Sequence, residues 1–365
     1  MKNRGKNIFA VLVTALLFLS GCGEVINTQQ LSEEQEAQIS EVSGEKLEVH
    51  FIDVGQGDAT LIRQGEHAML IDAGDNSKGT AVQAYLQSQD ITTLDYVIGT
   101  HPDSDHIGGL DVILYKFEWN MIMMPELEKD SRTYEDVIQV IKEKNGQITV
   151  PKIGESYSLG EAEFTIVCPQ ESDYGDNSND YSIGLRLTFG ENHFLFTGDA
   201  EEVSEQDMLE SGMELSADVF KAAHHGSDTA NTEAFLNVVN PKAVVISCGE
   251  GNSYGHPRAA VINELREIGV DVYRTDEQGT IVAYSDGKNI TWNTGKSESQ
   301  KAGEPTGSSI SKESATYVLN ENTGKFHKVS CESVEQMAEK NRVYTDKSRE
   351  ILIEEGNEPC KRCNP

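Results

Sequence analysis

One short stretch, Thr100 to Gly109, concentrates the residue types that bind metal ions. Two imidazoles and two carboxylates fall within six positions: His101, Asp103, Asp105 and His106. The stretch follows a mostly apolar run, residues 94–99, that predicts a buried strand. Ligands at the end of a rigid strand suit a metal site. The alternative is a polar helix cap before Ile107, but capping needs one acid and no imidazole, so the metal site is favoured.

This stretch resembles the His-x-His-x-Asp-His signature of the metallo-β-lactamase fold, with Asp103 where the second histidine usually lies. The variant is similar to the hydrolase domain of the competence DNA-channel proteins (ComEC type). Four supporting motifs stand in the expected order: Asp53–Ala59, Phe196–Ala200, Lys221–Ser227 and Tyr254–Pro257. The resemblance implies the α/β fold class, as an αββα sandwich, and a metal-dependent hydrolase.

By the same resemblance, His101 and Asp103 belong to a first metal. Asp105 and His106 belong to a second metal, and Asp199 is the bridging carboxylate.

The later histidine ligand is His224 or His225. Adjacent residues of one strand point to opposite sides, so we expect only one of them to face the site. The glycine and serine that follow favour His225.

A hydrolase of unactivated esters needs a strong nucleophile at neutral pH, and a divalent cation provides one by lowering the pKa of water from about 15.7 toward 7. We expect one or two such cations, zinc or manganese. Asp103 adds an oxygen ligand, which moves preference toward manganese and argues against a β-lactamase. The family's third histidine motif is replaced by Asn179–Ser182. Asn179 or Asp180 is then a weak ligand or a substrate contact, and Ser182 is assigned to the substrate.

Three residues are candidates for the catalytic step: Asp105, His256 and Lys221. His256 either lines the site and donates a proton or only belongs to a turn before a helix. Lys221 either pairs with a phosphate oxygen or is a surface lysine.

A second cluster of ligands lies near the C-terminus: His327, Cys331, Cys360 and Cys363. A His-x3-Cys pair and a Cys-x2-Cys pair can close a tetrahedral structural zinc site, which would let a segment with a thin core fold. The alternative is one disulfide and a free thiol. The segment resembles the small Cys/His domain of some secreted nucleases, related to the metal-binding domain of alkylated-DNA-repair proteins. Cys168 and Cys248 lie in apolar runs and are expected in the core.

The charge of the chain restricts its partners. The 365 residues carry a net charge of −31, and residues 46–295 hold 43 acidic and 16 basic residues. Nucleic-acid affinity normally depends on Lys and Arg neutralising phosphates, so a broad nucleic-acid groove is disfavoured. A bound cation can still hold a phosphate locally.

The N-terminus predicts export. Basic residues precede the apolar run Ile8–Leu19, which is short for a membrane span, and Leu19–Cys22 resembles a bacterial lipoprotein lipobox. Cys22 would then carry the lipid. An ordinary signal peptide or an uncleaved anchor is the alternative.

Composition divides the chain into five segments. They are a signal peptide (1–22), a polar tether (23–45), a hydrolase domain (46–295), a linker (296–315) and a Cys/His module (316–365). Within the hydrolase domain, short apolar runs predict strands, and residues 81–88, 135–144 and 259–268 have helical spacing. Strands that alternate with helices indicate a layered α/β architecture.

These observations predict an enzyme anchored by lipid to the extracytoplasmic face of the cell membrane. Its substrate would be a phosphoester, with DNA as the first candidate, which makes it a phosphodiesterase. Alternatives are another phosphoester from the cell wall or from phospholipid, and a non-catalytic surface binding protein. The sequence identifies no protein partner.

Overall fold

The computed structural model describes residues 45–171, 173–297, 315–320, 325–337, 342–345, 349–354 and 357–365. The predicted signal peptide with Cys22, nearly all of the tether and most of the linker lie outside these residues. Within the described part, no helix combines the length and the apolar character that crossing a bilayer requires.

Two large sheets form the hydrolase region. In chain order, their strands are β1 (Leu47–Phe51), β2 (Thr60–Gln64), β3 (His67–Ile71), β4 (Thr93–Ile98), β5 (Glu118–Met123), β6 (Ile148–Thr149), β7 (Ser156–Leu159), β8 (Ala162–Cys168), β9 (Gly184–Phe189), β10 (Asn192–Phe196), β11 (Val219–Lys221), β12 (Ala243–Ile246), β13 (Asp271–Arg274), β14 (Ile281–Ser285) and β15 (Ile290–Trp292). The first sheet has eight strands in the order β15-β14-β1-β2-β3-β4-β5-β6, and the second has seven in the order β13-β12-β11-β10-β9-β8-β7.

Helices cover the outer face of each sheet. They are α1 (Gly79–Ser88), α2 (Ser104–Ile107), α3 (Leu110–Lys116), α4 (Arg132–Glu143), α5 (Glu202–Ser211), α6 (Glu233–Val239), α7 (Ala259–Ile268) and α8 (Thr275–Gln278). Buried side chains of α1, α3 and α4 pack on the first sheet, and those of α5, α6 and α7 pack on the second. The predicted αββα sandwich is confirmed.

The central core lies between the two sheets, where Phe51, Phe164 and Phe194 are completely buried. Successive side chains of a strand point to opposite faces, and both faces are buried here. Several strands therefore consist of unbroken apolar runs. In β3, Met69 faces this central core while Leu70 packs under the helices. Both faces of the strand are buried, so neither can be polar.

The parallel strands set the position of the loops. Strands β3, β4 and β5 run parallel to one another, as do β10, β11 and β12. Their carboxyl ends, where open α/β sheets hold ligands, bring the loops that carry the candidate residues to one edge of the sandwich.

The C-terminal segment has a small sheet of its own. Its strands are β16 (Tyr317–Asn320), β17 (Lys325–Lys328), β18 (Arg342–Thr345) and β19 (Glu358–Pro359), in the order β18-β16-β17-β19. Two short helices, α9 (Glu332–Glu335) and α10 (Arg349–Glu354), accompany them. Val318 and Phe326 are fully buried. The five segment boundaries drawn from composition stay predictions.

Candidate metal centre

Four buried side chains converge at the sandwich edge: Asp58, His106, Asp199 and His225. One ligand atom from each lies within 4.8 Å of the others. Asp58 follows β1, His106 lies in α2 after β4, Asp199 follows β10 and His225 follows β11. The group therefore combines loops of both sheets.

His106 is held by a carboxylate behind it. Its Nδ1 atom lies 2.8 Å from Oδ2 of Asp72, and Asp72 also accepts hydrogen bonds from the backbone N–H and the hydroxyl of Thr100. The other ring nitrogen, Nε2, lies 3.2 Å from Oδ2 of Asp199. Burial opposes the charged imidazolium, but Asp199 and Asp72 raise the pKa of His106 well above its ordinary value. A carboxylate behind the far ring nitrogen is the usual support of a metal-binding histidine.

His225 reaches the same point from the second sheet. Its Nδ1 atom lies 3.0 Å from the carbonyl oxygen of Ser247 and 3.3 Å from Oδ1 of Asp58. Its Nε2 atom lies 3.4 Å from a carboxylate oxygen of both Asp105 and Asp199. Asp105 is thus brought to the cluster as predicted.

Both histidines of the pair border the site, contrary to the argument from strand alternation. His224 and His225 lie in a 3₁₀ turn, Ala223–Gly226, and have left-handed φ angles of 48° and 55°. His224 directs Nδ1 to Glu201, at 3.0 Å, and Nε2 toward Asp199, at 3.9 Å. Strand β11 ends at Lys221, two residues short of the pair, so alternation no longer applies.

His101 lies beside His106, with ring centroids 4.1 Å apart. Its Nδ1 atom contacts the hydroxyls of Thr100 and Ser182, at 3.1 and 3.3 Å. Burial lowers the pKa of His101 to about 4. A neutral imidazole with a supported Nδ1 can offer Nε2 as a ligand.

The cluster passes a direct test of fit for a cation. Among the described residues, five buried atoms at the site have no hydrogen-bond partner: Nε2 of His101, His106 and His225, and Oδ1 of Asp58 and Asp199. Buried polar atoms without partners are costly and call for an explanation. A divalent cation satisfies them, because imidazole nitrogen and carboxylate oxygen are ligands for both zinc and manganese.

Asp103 contacts two side chains outside the cluster. It stands at the N-cap of α2, but its side chain makes no capping bond. Its carboxylate instead contacts Lys129 and accepts a hydrogen bond of 2.7 Å from the hydroxyl of Ser178. The missing capping bond removes the helix-cap alternative, and the assignment of Asp103 as a first-metal ligand stays a prediction.

The segment Asn179–Ser182, which replaces the family's third histidine motif, contacts residues that border the metal site. Asp180 is 3% exposed and accepts a hydrogen bond from the backbone of Glu201. Asn179 donates to the Glu201 carboxylate, and Ser182 is completely buried and accepts from the backbone N–H of Asp199. Ser182 thus makes a positioning contact with Asp199, and the predicted roles of Asn179, Asp180 and Ser182 toward a metal or a substrate stay predictions.

Lys221 is buried, so the surface-lysine alternative is wrong. Only 3% of it is exposed, and its ammonium lies 2.6 Å from Oδ2 of Asp58 and donates to the carbonyl oxygen of Ala222. Burial alone would raise the pKa of Asp58, but Lys221 and His225 lower it to about 2. The lysine thus stabilises the ionised form of Asp58, and its catalytic assignment stays a prediction.

His256 belongs to the predicted turn and also lies beside the site, while its predicted donation of a proton stays a prediction. It belongs to the turn before α7, and its ring is buried beside His224, with centroids 5.4 Å apart. Burial, followed by the charge of His225, lowers the pKa of His256 to about 3. This favours the neutral imidazole, which lines the site and still carries one ring N–H.

Asp58 and Asp72 are the functional residues that motif reading missed. Each is a single aspartate near the end of a strand, and such residues commonly serve turns. The one available signal for Asp58 was its place in the Asp53–Ala59 motif.

The C-terminal ligands also come together. One atom from each of His327, Cys331, Cys360 and Cys363 lies within 4.8 Å of the others, and the three cysteines are free thiols. Burial would raise the pKa of Cys331, but a hydrogen bond with His327 lowers it to about 6. Thiolate is the form that binds metal, so this cluster fits a structural zinc.

Comparison with known proteins agrees with this geometry. The sequence profile described as the Metallo-beta-lactamase superfamily matches residues 52–250. The chain is 31% identical over 252 residues to ComE operon protein 3 of Bacillus subtilis (strain 168), covering 64% of this chain and 32% of that protein. It is 29% identical over 231 residues to Competence protein ComA of Neisseria gonorrhoeae, covering 63% and 31%. The chain thus spans about a third of the length of these relatives.

Among solved structures, it is similar to the metallo-beta-lactamase fold protein YhfI from Bacillus subtilis. The TM-score is 0.47 at 12% identity, and the match covers 66% of this chain and all of that one.

Proposed function

This chain belongs to the metallo-β-lactamase superfamily of metal-dependent hydrolases, and we propose that it cleaves phosphodiester bonds, with DNA as its substrate. We further propose that Cys22 carries a lipid that anchors it to the extracytoplasmic face of the cell membrane. The similarity to competence proteins supports the choice of DNA, and the lipobox-like Leu19–Cys22 supports the anchor.

One observation carries the proposal. Ligand atoms of His101, His106, Asp199 and His225 are buried and have no hydrogen-bond partner, although leaving such atoms unsatisfied costs free energy. A binding protein has no need to maintain this arrangement. A hydrolase has one, because a cation held there would supply a nucleophile at neutral pH.

The protein residues have separable tasks. His106, Asp199 and His225 would hold the cation, with Asp58 or Asp105 as a further carboxylate ligand and His101 beside them. Asp72 and Ser247 orient the rings of His106 and His225 through Nδ1, so that Nε2 of each faces the cluster. Lys221 keeps Asp58 ionised. Zinc and manganese both suit this mixture of nitrogen and oxygen ligands.

The test begins with the chain from residue 23 onward. Metal content is measured, and turnover is assayed on single-stranded DNA and on bis-p-nitrophenyl phosphate with zinc or manganese. We expect both substrates to be cleaved, and Asp105→Ala to abolish turnover with the fold intact. Asp90→Asn, which changes an exposed carboxylate, should retain it.

Other outcomes select the alternatives. Cleavage of the small ester without DNA would indicate another phosphoester as substrate. Full metal occupancy without turnover of any ester would indicate a binding protein. For the anchor, Cys22→Ala should move the protein from the membrane fraction to the soluble fraction, and unchanged fractionation would contradict it.

A further inference from the structure

Tyr254 is an exposed aromatic residue at the margin of the metal centre. Of its surface, 56% is exposed, and its ring stacks on His256 with centroids 5.7 Å apart and planes 22° apart. His256 in turn packs against His224, and His224 lies 3.9 Å from Asp199. A continuous series of rings therefore leads from the solvent to the cluster.

The loop that carries Tyr254 is held firmly. The Asn252 side chain donates to the carbonyl oxygens of Gly249 and His256, at 2.9 and 2.7 Å, and accepts from the backbone N–H of His256. Gln56, from the loop that contains Asp58, accepts a hydrogen bond from the backbone N–H of Gly249. The position of the tyrosine relative to the site is thus fixed by the fold.

The negative charge of the hydrolase region favours an uncharged contact as the means of binding a polyanion. The hydrolase region holds 43 acidic and 16 basic residues, and a polyanion near it is repelled at long range. Three cations near the site are paired with carboxylates: Lys129 with Asp103, Lys221 with Asp58 and Arg258 with Asp228. Stacking on an aromatic side chain supplies affinity for single strands without adding positive charge.

We propose that Tyr254 is a stacking platform for a nucleobase next to the scissile phosphodiester of single-stranded nucleic acid. This inference rests on the proposed function and makes it more specific. The phosphodiester would lie at the cluster, and the exposed part of the tyrosine ring would receive the base. The residue would thereby select a planar base over a bare sugar–phosphate chain.

The experiment compares two substrates on the full-length chain, extracted in detergent and loaded with manganese. One is an oligothymidylate, and the other is an oligomer of equal length made of abasic sugar–phosphate units. Tyr254→Ala should raise KM for the oligothymidylate by about 5- to 150-fold, from a base–aromatic stacking free energy of roughly 1–3 kcal/mol. KM for the abasic oligomer should not change. Tyr254→Phe, which keeps the ring, should behave as wild type.

Tyr115→Ala is the matched control, because Tyr115 is similarly exposed, at 59%, on helix α3. It should leave both KM values unchanged, and metal content should be equal in all variants. An unchanged KM in Tyr254→Ala, or an equal rise on both substrates, would overturn the stacking proposal and leave the phosphodiesterase proposal standing. If wild type cleaves neither oligomer, the proposal of a DNA phosphodiesterase fails, and the stacking inference fails with it.

Discussion

The Nδ1 atom of His106 lies 2.8 Å from Oδ2 of Asp72, and this contact decides which ring nitrogen faces the cluster. Both residues are completely buried. Asp72 is in turn fixed by two hydrogen bonds from Thr100. The first sheet thus supplies both the ligand and its support.

Loss of this support should weaken metal binding. Asp72→Asn is expected to lower metal affinity by about 10- to 100-fold, which is the usual effect of losing the outer partner of a metal-binding histidine. The measurement is a metal titration monitored by isothermal calorimetry. Asp95→Asn is the control, because Asp95 contacts His67 at 3.0 Å in an exposed pair outside the site. Equal affinities for the two variants would contradict the role of Asp72.

Removal of Lys221 should destabilise the fold. Lys221→Met leaves the Asp58 carboxylate buried without its partner, which should lower the free energy of unfolding by roughly 3–5 kcal/mol. The measurement is denaturant unfolding in the presence of a chelator. Lys242→Met, which breaks the exposed pair with Asp218, should cost less than about 1 kcal/mol. If both variants lose the same free energy of unfolding, burial adds nothing to the contribution of the Lys221–Asp58 pair.

Gly57 is required by the close approach of two loops. Its φ is +132°, and a Cβ atom there would lie 2.3 Å from the backbone oxygen of Asp105. Gly57→Ala should lower the free energy of unfolding by more than about 3 kcal/mol, because the clash adds to a backbone cost of about 1–3 kcal/mol. Metal content should fall as well, since the Asp105 loop must move.

The comparison for that substitution is Gly154→Ala. Gly154 also has a positive φ, of +78°, but a Cβ atom would meet no atom within 4 Å. It should cost about 1–2 kcal/mol and leave metal content unchanged. A loss of metal in Gly154→Ala would show that the measurement reports general destabilisation.

The C-terminal cluster should bind one zinc ion that does not depend on the hydrolase site. Cys360→Ser should remove about one equivalent of zinc, because a tetrahedral structural site uses all four ligands. Cys248→Ala, which changes a buried cysteine of the second sheet, should retain it. A disulfide among the three C-terminal cysteines, seen by thiol titration of the wild-type protein, would contradict the zinc site.

Elements with a strong local pattern were predictable from the sequence. Helix α7 lies at residues 259–268 as its apolar spacing predicts, and β4 begins and ends within one residue of the strand predicted at 94–99. Helix α5 was missed because its residues are mostly polar and only Ser204, Glu205 and Met208 are buried. Burial of a serine and a glutamate depends on hydrogen bonds with distant residues, which no local pattern contains.

The candidate site was predictable where a motif concentrates ligands, and not where single residues meet across the fold. The stretch around His101 and His106 was predictable because it concentrates four potential metal ligands within six positions. Lys221 and Asp58, which form a buried pair, are 163 positions apart in the sequence. The direction of His224 was unpredictable for a different reason, because left-handed backbone at a histidine has no sequence signal.

Because the loops of two separate sheets contribute to one cluster, a cation bound there would cross-link the two sheets. Opening the sandwich would then require the ion to leave, so every tenfold excess of free cation over its dissociation constant would add about 1.4 kcal/mol to the resistance against unfolding. The concentration of the free cation in the surroundings would then affect the resistance of the chain to proteolysis as well as its rate of turnover.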